Sequence, residues 1–226
     1  MADVEQRQAA IRPFQPCLTM PKLSIAEIAV LGFTISYMAV WLVASLVLKN
    51  DEFLYYFVVM CVLIVGVGVV HLRLRFHIAA LWGLAIWGLV HMAGGLMPVP
   101  LSWPTGADTN VLYNLWLVPS LLKYDQLVHA YGFGLVTWVC WMSLRRTFAA
   151  RGINTNPTLG LLILCIAAGM GFGAANEVVE FLATIMLPGT NVGGYANTGW
   201  DLIANFVGCI VAATIIYIWP RRISDK

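Results

Sequence analysis

Six apolar stretches, each long enough to cross a membrane, constrain the fold of this chain more than any other feature. A helix of about 20 consecutive apolar residues spans the hydrocarbon core of a bilayer, which is about 30 Å thick. Hydrophobic residues make up 60% of the 226 residues and charged residues only 11%, which excludes an ordinary soluble domain. We therefore predict an all-α polytopic membrane bundle, with segments at 24–48, 53–72, 76–97, 125–144, 158–187 and 200–219.

The residues between and around these segments define the domain organisation. We expect an N-terminal tail at 1–22, one six-helix transmembrane domain at 23–220 with a long outer loop at 98–123, and a C-terminal tail at 221–226. The net charge is only +2 and no run of like charge occurs, which argues against nucleic acid as a partner. The lipid bilayer is the partner that the composition indicates.

Lysine and arginine residues are distributed unevenly between the two sides of the predicted bundle. With the N-terminus inside, Lys49 and Lys123 are the two of the 13 that fall on the outer side. The inner side holds all the others, namely Arg7, Arg12, Lys22, Arg73, Arg75, Arg145, Arg146, Arg151, Arg221, Arg222 and Lys226. Because basic residues accumulate on the cytoplasmic side of membrane proteins, both termini are predicted to be cytoplasmic.

Ionisable residues inside the apolar segments are the candidate functional residues. Asp125 and His129 lie four residues apart at the start of the fourth segment, and therefore on one helix face. A charged group inside a bilayer is costly, so such residues usually face the protein interior and a partner. The other segments supply further members of a predicted outer-leaflet chamber: Glu177 and Glu180, Asp201 and Asn205, and the supporting residues His91 and Tyr124.

Two patterns favour a purely structural interpretation. Gly169 and Gly173 have the spacing that allows membrane helices to approach closely, and the glycine-rich run around them follows no strand, so it is not a nucleotide-binding loop. At the inner boundary, His71, His77 and Glu27 are expected to face water or lipid headgroups.

The order of four short motifs resembles that of YjdF-type bacterial inner-membrane proteins, and more distantly that of the VanZ-like superfamily. The motifs are His91-Met-Ala-Gly-Gly, Tyr124-Asp-Gln-Leu-Val-His, Glu177-x-x-Glu and Trp200-Asp-x-x-x-Asn-x-x-Gly. The resemblance covers residues 91–208. It implies a polytopic protein of the bacterial inner membrane and supplies a set of residues, but no reaction.

A mixed set of imidazole and carboxylate groups is suited to a divalent metal ion such as zinc, manganese or iron. We predict His129, Glu177, Glu180 and Asp201 as ligands, and these four residues together with Asp125 as the catalytic set. A metal ion would offset the repulsion between the acids and activate water, which gives a hydrolase for lipid or envelope-precursor substrates.

Two other functions remain open on the sequence. In a structural or accessory protein, Asp125 would orient His129 and a protonated glutamate would bond Asn205. In a proton-coupled transporter, polar residues should continue towards the cytoplasm. The inner halves of the fourth and sixth segments offer few: Thr137, Cys140, Ser143, Thr214 and Tyr217. That asymmetry favours a site open to one side.

The predicted topology is testable with reporter fusions placed after Lys123 and at the C-terminus. We expect a periplasmic signal from the first fusion and a cytoplasmic signal from the second, because of the distribution of basic residues. A cytoplasmic loop at 98–123, or an external C-terminus, would contradict the topology.

Overall fold

Six long helices dominate the computed structural model, which describes residues 22–107 and 109–219. Their bounds are α1 (Ile25–Val47), α2 (Asp51–Leu74), α3 (Ile78–Leu96), α4 (Tyr124–Ala149), α5 (Leu159–Met186) and α6 (Tyr195–Ile218). All six are long and apolar enough to cross a membrane, which confirms the predicted all-α bundle. The two predicted tails lie outside the described residues, except for Lys22.

Local side-chain caps determine where several helices begin. The Ser24 hydroxyl accepts a hydrogen bond from the backbone N–H of Glu27, while the Glu27 carboxylate accepts one from the N–H of Ser24. Asn50 caps α2 in the same way, by accepting from the N–H of Phe53. Such caps satisfy N–H groups that have no partner within the helix.

The sixth helix begins five residues earlier than the sequence predicted. It starts at Tyr195 rather than Trp200, because the polar residues of its first turn conceal it from a hydropathy criterion. Asn197 donates to the Asp201 carboxylate four residues later, which is a contact between successive turns of the helix. Asp201 therefore lies in the second turn of α6 and not at its start.

Helices α4, α5 and α6 pack tightly through glycine residues. A Cβ atom on Gly208 of α6 would lie 1.9 Å from the backbone carbonyl oxygen of Ala130 on α4, so only glycine allows this approach. The predicted close contact of α5 through Gly169 and Gly173 is also present, since Cβ atoms there would meet Thr137 Oγ1 at 2.3 Å and Asn205 Nδ2 at 2.7 Å.

Helices α1, α2 and α3 form a second group with its own apolar core. Tyr37, Phe53, Met60, Met92 and Leu96 are buried in this core. Helix α3 also joins the two groups. The Trp87 side chain lies against Gly132 of α4, where a Cβ atom would be 2.1 Å from the indole nitrogen.

The predicted outer loop folds over one end of the bundle, which we call the loop end. It contains a 3₁₀ turn (Leu112–Asn114) and two short antiparallel strands, β1 (Trp116–Val118) and β2 (Leu122–Lys123). Trp116 lies opposite Lys123 in this hairpin, and the Lys123 ammonium group is 5.4 Å from the Trp116 ring centroid. The other end of the bundle, where α1 begins and α2 ends, is called the opposite end.

At the opposite end, the expectation that His71 faces water or headgroups is wrong. His71 is buried, and its Nε2 atom lies 2.7 Å from Oε1 of the partly exposed Glu27. Arg75 approaches the same carboxylate oxygen at 3.4 Å. His71 is buried because the first turn of α1 packs beside the last turn of α2, and sequence periodicity does not report this contact.

The contact between α4 and α6 predicts that Gly208→Ala destabilises the bundle. The added methyl group would overlap the Ala130 carbonyl, so the free energy of unfolding should fall by about 1–3 kcal/mol. Gly199→Ala on the same helix is the matched control, because no atom lies within 4 Å of the corresponding Cβ position. Equal thermal unfolding of the two variants in detergent would contradict the packing argument.

Candidate functional site

Helices α4 and α6 run in the same direction and place two short polar motifs side by side. His129 Nδ1 lies 3.0 Å from Asn205 Oδ1, and these residues are 76 positions apart in the sequence. Cys209 Sγ lies 3.5 Å from the Phe133 carbonyl oxygen, and these two residues are also 76 positions apart. They lie one helical turn further from the loop end. The Asp-x-x-x-His motif of α4 therefore lies beside the Asp-x-x-x-Asn motif of α6. Asp125 is next to Asp201, and His129 is next to Asn205.

The first group of potential ligands consists of Asp125, His129 and Asp201. One ligand atom from each residue lies within 4.8 Å of the other two. Asp125 Oδ1 is 3.6 Å from His129 Nε2. His129 and Asp201 are 2% and 1% exposed, and Asp201 Oδ1 is buried without a hydrogen-bond partner among the described residues. A buried carboxylate oxygen in this state is suited to bind a cation.

The second group consists of His129, Glu177 and Glu180, whose ligand atoms also lie within 4.8 Å of one another. Glu177 Oε1 is 3.8 Å from His129 Nδ1, and neither Glu177 oxygen has a hydrogen-bond partner in the described part of the chain. Asn176 donates to Glu180 Oε1 at 2.8 Å. The four predicted metal ligands thus fall into two groups that share His129, and Asp125 joins the group of Asp201.

A cavity of about 460 Å³ lies above these groups at the loop end. Asp125 and Glu180 are part of its wall, whereas His129, Glu177 and Asp201 lie beneath it. The remaining charged residues in its described wall are Glu52 and Lys123, so acids outnumber basic residues. The helix bundle and the loop therefore surround an acidic cavity, consistent with the predicted chamber.

The predicted supporting residues have different positions. Asn205 is fully buried and contacts His129 directly. His91 belongs to the cavity wall and stacks on Trp87, with ring centroids 5.1 Å apart. The Tyr124 hydroxyl donates to the Val90 carbonyl at 3.0 Å, so it fastens the start of α4 to α3 and is not directed at the ligand groups.

The loop between α3 and α4 is fastened to the site by Tyr113. Its hydroxyl oxygen lies 2.6 Å from the His91 carbonyl oxygen and 2.8 Å from His91 Nδ1. Because the hydroxyl has one proton, which it donates to the carbonyl, His91 Nδ1–H must donate to the hydroxyl oxygen. Burial, together with the charges of Asp125 and Glu180, raises the pKa of Tyr113 well above its ordinary value of 10.

Sequence reasoning missed five residues that shape the site. Asn176 and Asn197 each lie four residues before an acid to which they donate, and this spacing is visible in the sequence. Glu52 has no comparable signal, because its partner is the backbone N–H of Asn191, 139 positions away. The positions of Tyr113 and Lys123 depend on the fold of the loop, which hydropathy does not predict.

These features define a multi-pass membrane helix bundle with a buried cluster of histidine, aspartate and glutamate. Residues 29–222 match the family described as predicted membrane protein DUF2238, and the chain belongs to this family. No curated protein and no solved structure matches the chain. The family match confirms the membrane class, while the resemblance to YjdF-type and VanZ-like proteins stays a prediction.

The Tyr113 contact predicts that Tyr113→Phe loosens the loop at residues 98–123. The change leaves two buried polar groups of His91 without their partner, so the free energy of unfolding should fall by about 1–3 kcal/mol. Thermal unfolding in detergent and limited proteolysis of the loop measure the effect. Tyr195→Phe, at a position that is 95% exposed, is the control.

The pH dependence of this effect follows from the raised pKa of Tyr113. The folded state keeps the phenol protonated to higher pH than the unfolded state does, so the contribution to stability is fully present below about pH 10 and falls above it. A difference between Tyr113→Phe and the wild type that shrinks between pH 6 and pH 9 would contradict this account.

Proposed function

We propose that this protein is a metal-dependent membrane hydrolase, in which Asp125, His129 and Asp201 bind one divalent cation. The observation that supports this most strongly is the first ligand group, whose three ligand atoms lie within 4.8 Å of one another beside the unpartnered Oδ1 of Asp201. Histidine nitrogen and carboxylate oxygen both bind zinc, and a catalytic zinc ion has three protein ligands and an open position for water, so one nitrogen and two carboxylate oxygens supply the required number.

The hydrogen bond to Asn205 indicates which histidine nitrogen would bind the ion. With Asn205 Oδ1 as acceptor, Nδ1 of His129 carries the proton and Nε2 keeps its lone pair. Nε2 is also the nitrogen closest to Asp125, at 3.6 Å. Asn205 would then act as an outer-shell residue that fixes the tautomer and the orientation of the imidazole ring.

The second ligand group supplies a candidate base. Glu180 is part of the cavity wall and lies next to His129, so its carboxylate is placed to accept a proton from a water molecule, which a bound metal ion would polarise. The oxygen of that water would form a bond to the carbonyl carbon or phosphorus of an ester. The ester bond to the alcohol oxygen would break, and the proton on Glu180 would pass to that oxygen.

The position of the cavity supports a lipid or envelope-precursor substrate. The cavity is at one end of helices that are long enough to cross the bilayer, where lipid headgroups lie. The distribution of lysine and arginine supports an orientation in which this end lies in the outer leaflet and both termini lie in the cytoplasm. The resemblance to YjdF-type and VanZ-like proteins supports the bacterial inner membrane as the location.

Packing below His129 argues against the proton-coupled transporter. Thr137 and Cys209 are fully buried there, and both bond to the Phe133 carbonyl rather than to a polar path. The helices α4 and α6 are in backbone contact at Gly134 and Gly208. A site that opens towards one side suits hydrolysis better than alternating access.

Metal analysis of purified protein tests the proposed function. We expect about one divalent ion per wild-type chain and none in His129→Ala, which removes the only nitrogen ligand. Asn205→Ala should weaken metal affinity by about 10–100-fold, since it removes the outer-shell partner of the imidazole. Elemental analysis and metal titration measure both effects.

A matched control and a lipid assay complete this test. Asp51→Asn changes an exposed acid at the start of α2 and should retain the metal. Mass spectrometry of bacterial lipids incubated with the protein should show metal-dependent release of ester products by the wild type and by Asp51→Asn. Full hydrolysis by metal-free protein would overturn the proposal, as would accumulation of substrate in sealed vesicles driven by a proton gradient.

A further inference from the structure

A second cavity lies between α1, α2 and α3, away from the ligand groups. Its volume is about 260 Å³, and aliphatic side chains from all three helices form most of its wall, among them Val30, Leu63, Ile64 and Leu84. We call this cavity the acyl groove. Gly68 of α2 also belongs to its wall, and no atom lies within 4 Å of the position that a Cβ atom would take.

The length of the acyl groove matches one leaflet of a bilayer. Its wall follows α1 from Glu27 to Tyr37, which is about 15 Å at 1.5 Å per residue. This is half of the roughly 30 Å hydrocarbon thickness. Tyr37 and Trp87 contribute to the wall near mid-membrane, and Leu23 and Leu31 lie at its exposed edge, where they are 41% and 42% exposed. The groove is therefore open to lipid along its side.

The end of the acyl groove at the membrane boundary is polar. Glu27 and His71 belong to its wall and lie 2.7 Å apart, and the Arg75 guanidinium approaches the same Glu27 oxygen. His71 is 5% exposed, and its Nδ1 is buried with no hydrogen-bond partner among the described residues. Lys22 and Arg73 are exposed at the same end, so among the described residues there the basic side chains outnumber the acid Glu27.

We propose that the acyl groove binds one chain of an anionic phospholipid, whose phosphate lies at Arg75. The apolar wall and the length of one leaflet select an acyl chain, and the basic end selects a phosphate. A lipid reaches this position directly, because the groove opens along helices that face the bilayer. The site is separate from the proposed metal centre and does not depend on the hydrolase activity.

Filling the groove is the first arm of the test. Gly68→Leu places a side chain into the open space of the groove, whereas Gly66→Leu places one at an exposed position on the same helix outside it. Native mass spectrometry in detergent with added phosphatidylglycerol measures lipid retention. We expect at least about tenfold weaker binding for Gly68→Leu, since several buried methylene groups lose their contacts, and unchanged binding for Gly66→Leu.

The second arm of the test compares two lipid headgroups on the wild-type protein. It therefore does not depend on whether Gly68→Leu folds. Wild-type protein should retain phosphatidylglycerol about tenfold more strongly than diacylglycerol, which lacks the phosphate, and Arg75→Gln should remove this preference. Equal retention by Gly68→Leu and the wild type would overturn the groove assignment. Equal binding of the two lipids by the wild type would overturn the phosphate site.

Discussion

The backbone contact between α4 and α6 is the constraint on which the candidate site depends. Gly134 and Gly208 bring the two helices closer than any side chain would permit, and the helices run in the same direction. Beside this contact the Cys209–Phe133 hydrogen bond sets the register of the two helices, so residues one and two turns above that pair are neighbours as well. His129 therefore meets Asn205, and Asp125 comes within ligand distance of Asp201. The close contact between α4 and α6 therefore determines which polar side chains of the site are neighbours.

Neutral amides hold the acids without cancelling their charge. Asn197 donates to Oδ2 of Asp201 and leaves Oδ1 without a partner, and Asn176 donates to Oε1 of Glu180. The basic group in the described cavity wall, Lys123, donates to the side-chain oxygen Oδ1 of Asn197 rather than to an acid. Several carboxylates in a poorly solvated site must bind protons or a cation. The two amides orient the carboxylate oxygens but do not compensate their negative charge. This favours a cation-binding site over a purely structural network.

The sequence predicts the six helices and most of the site, because both depend on local spacing. Hydropathy fails at the start of α6, where polar residues form the first helical turn, and it fails for His71, whose burial depends on a neighbouring helix. The i, i+4 rule correctly pairs Asp125 with His129 on one face. It does not assign Asp125 to the group of Asp201, because that neighbour is set by the register between two helices. No local pattern predicts Glu52, whose partner is 139 positions away.

The cavity lies between the group of α4, α5 and α6 on one side and helix α2 on the other. Helices α4, α5 and α6 hold all five predicted catalytic residues and are joined through buried glycines. Helix α2, which contributes Glu52 and Tyr56 to the opposite wall, has the smallest buried share of the six spans. A metal centre requires ligands held at fixed distances, whereas a substrate cavity requires a wall that lets a ligand enter. In the proposed hydrolase these requirements would fall on different helices. Trp87 of α3 connects the two groups of helices by lying against Gly132 of α4, and the Tyr124 hydroxyl does so by donating to the Val90 carbonyl.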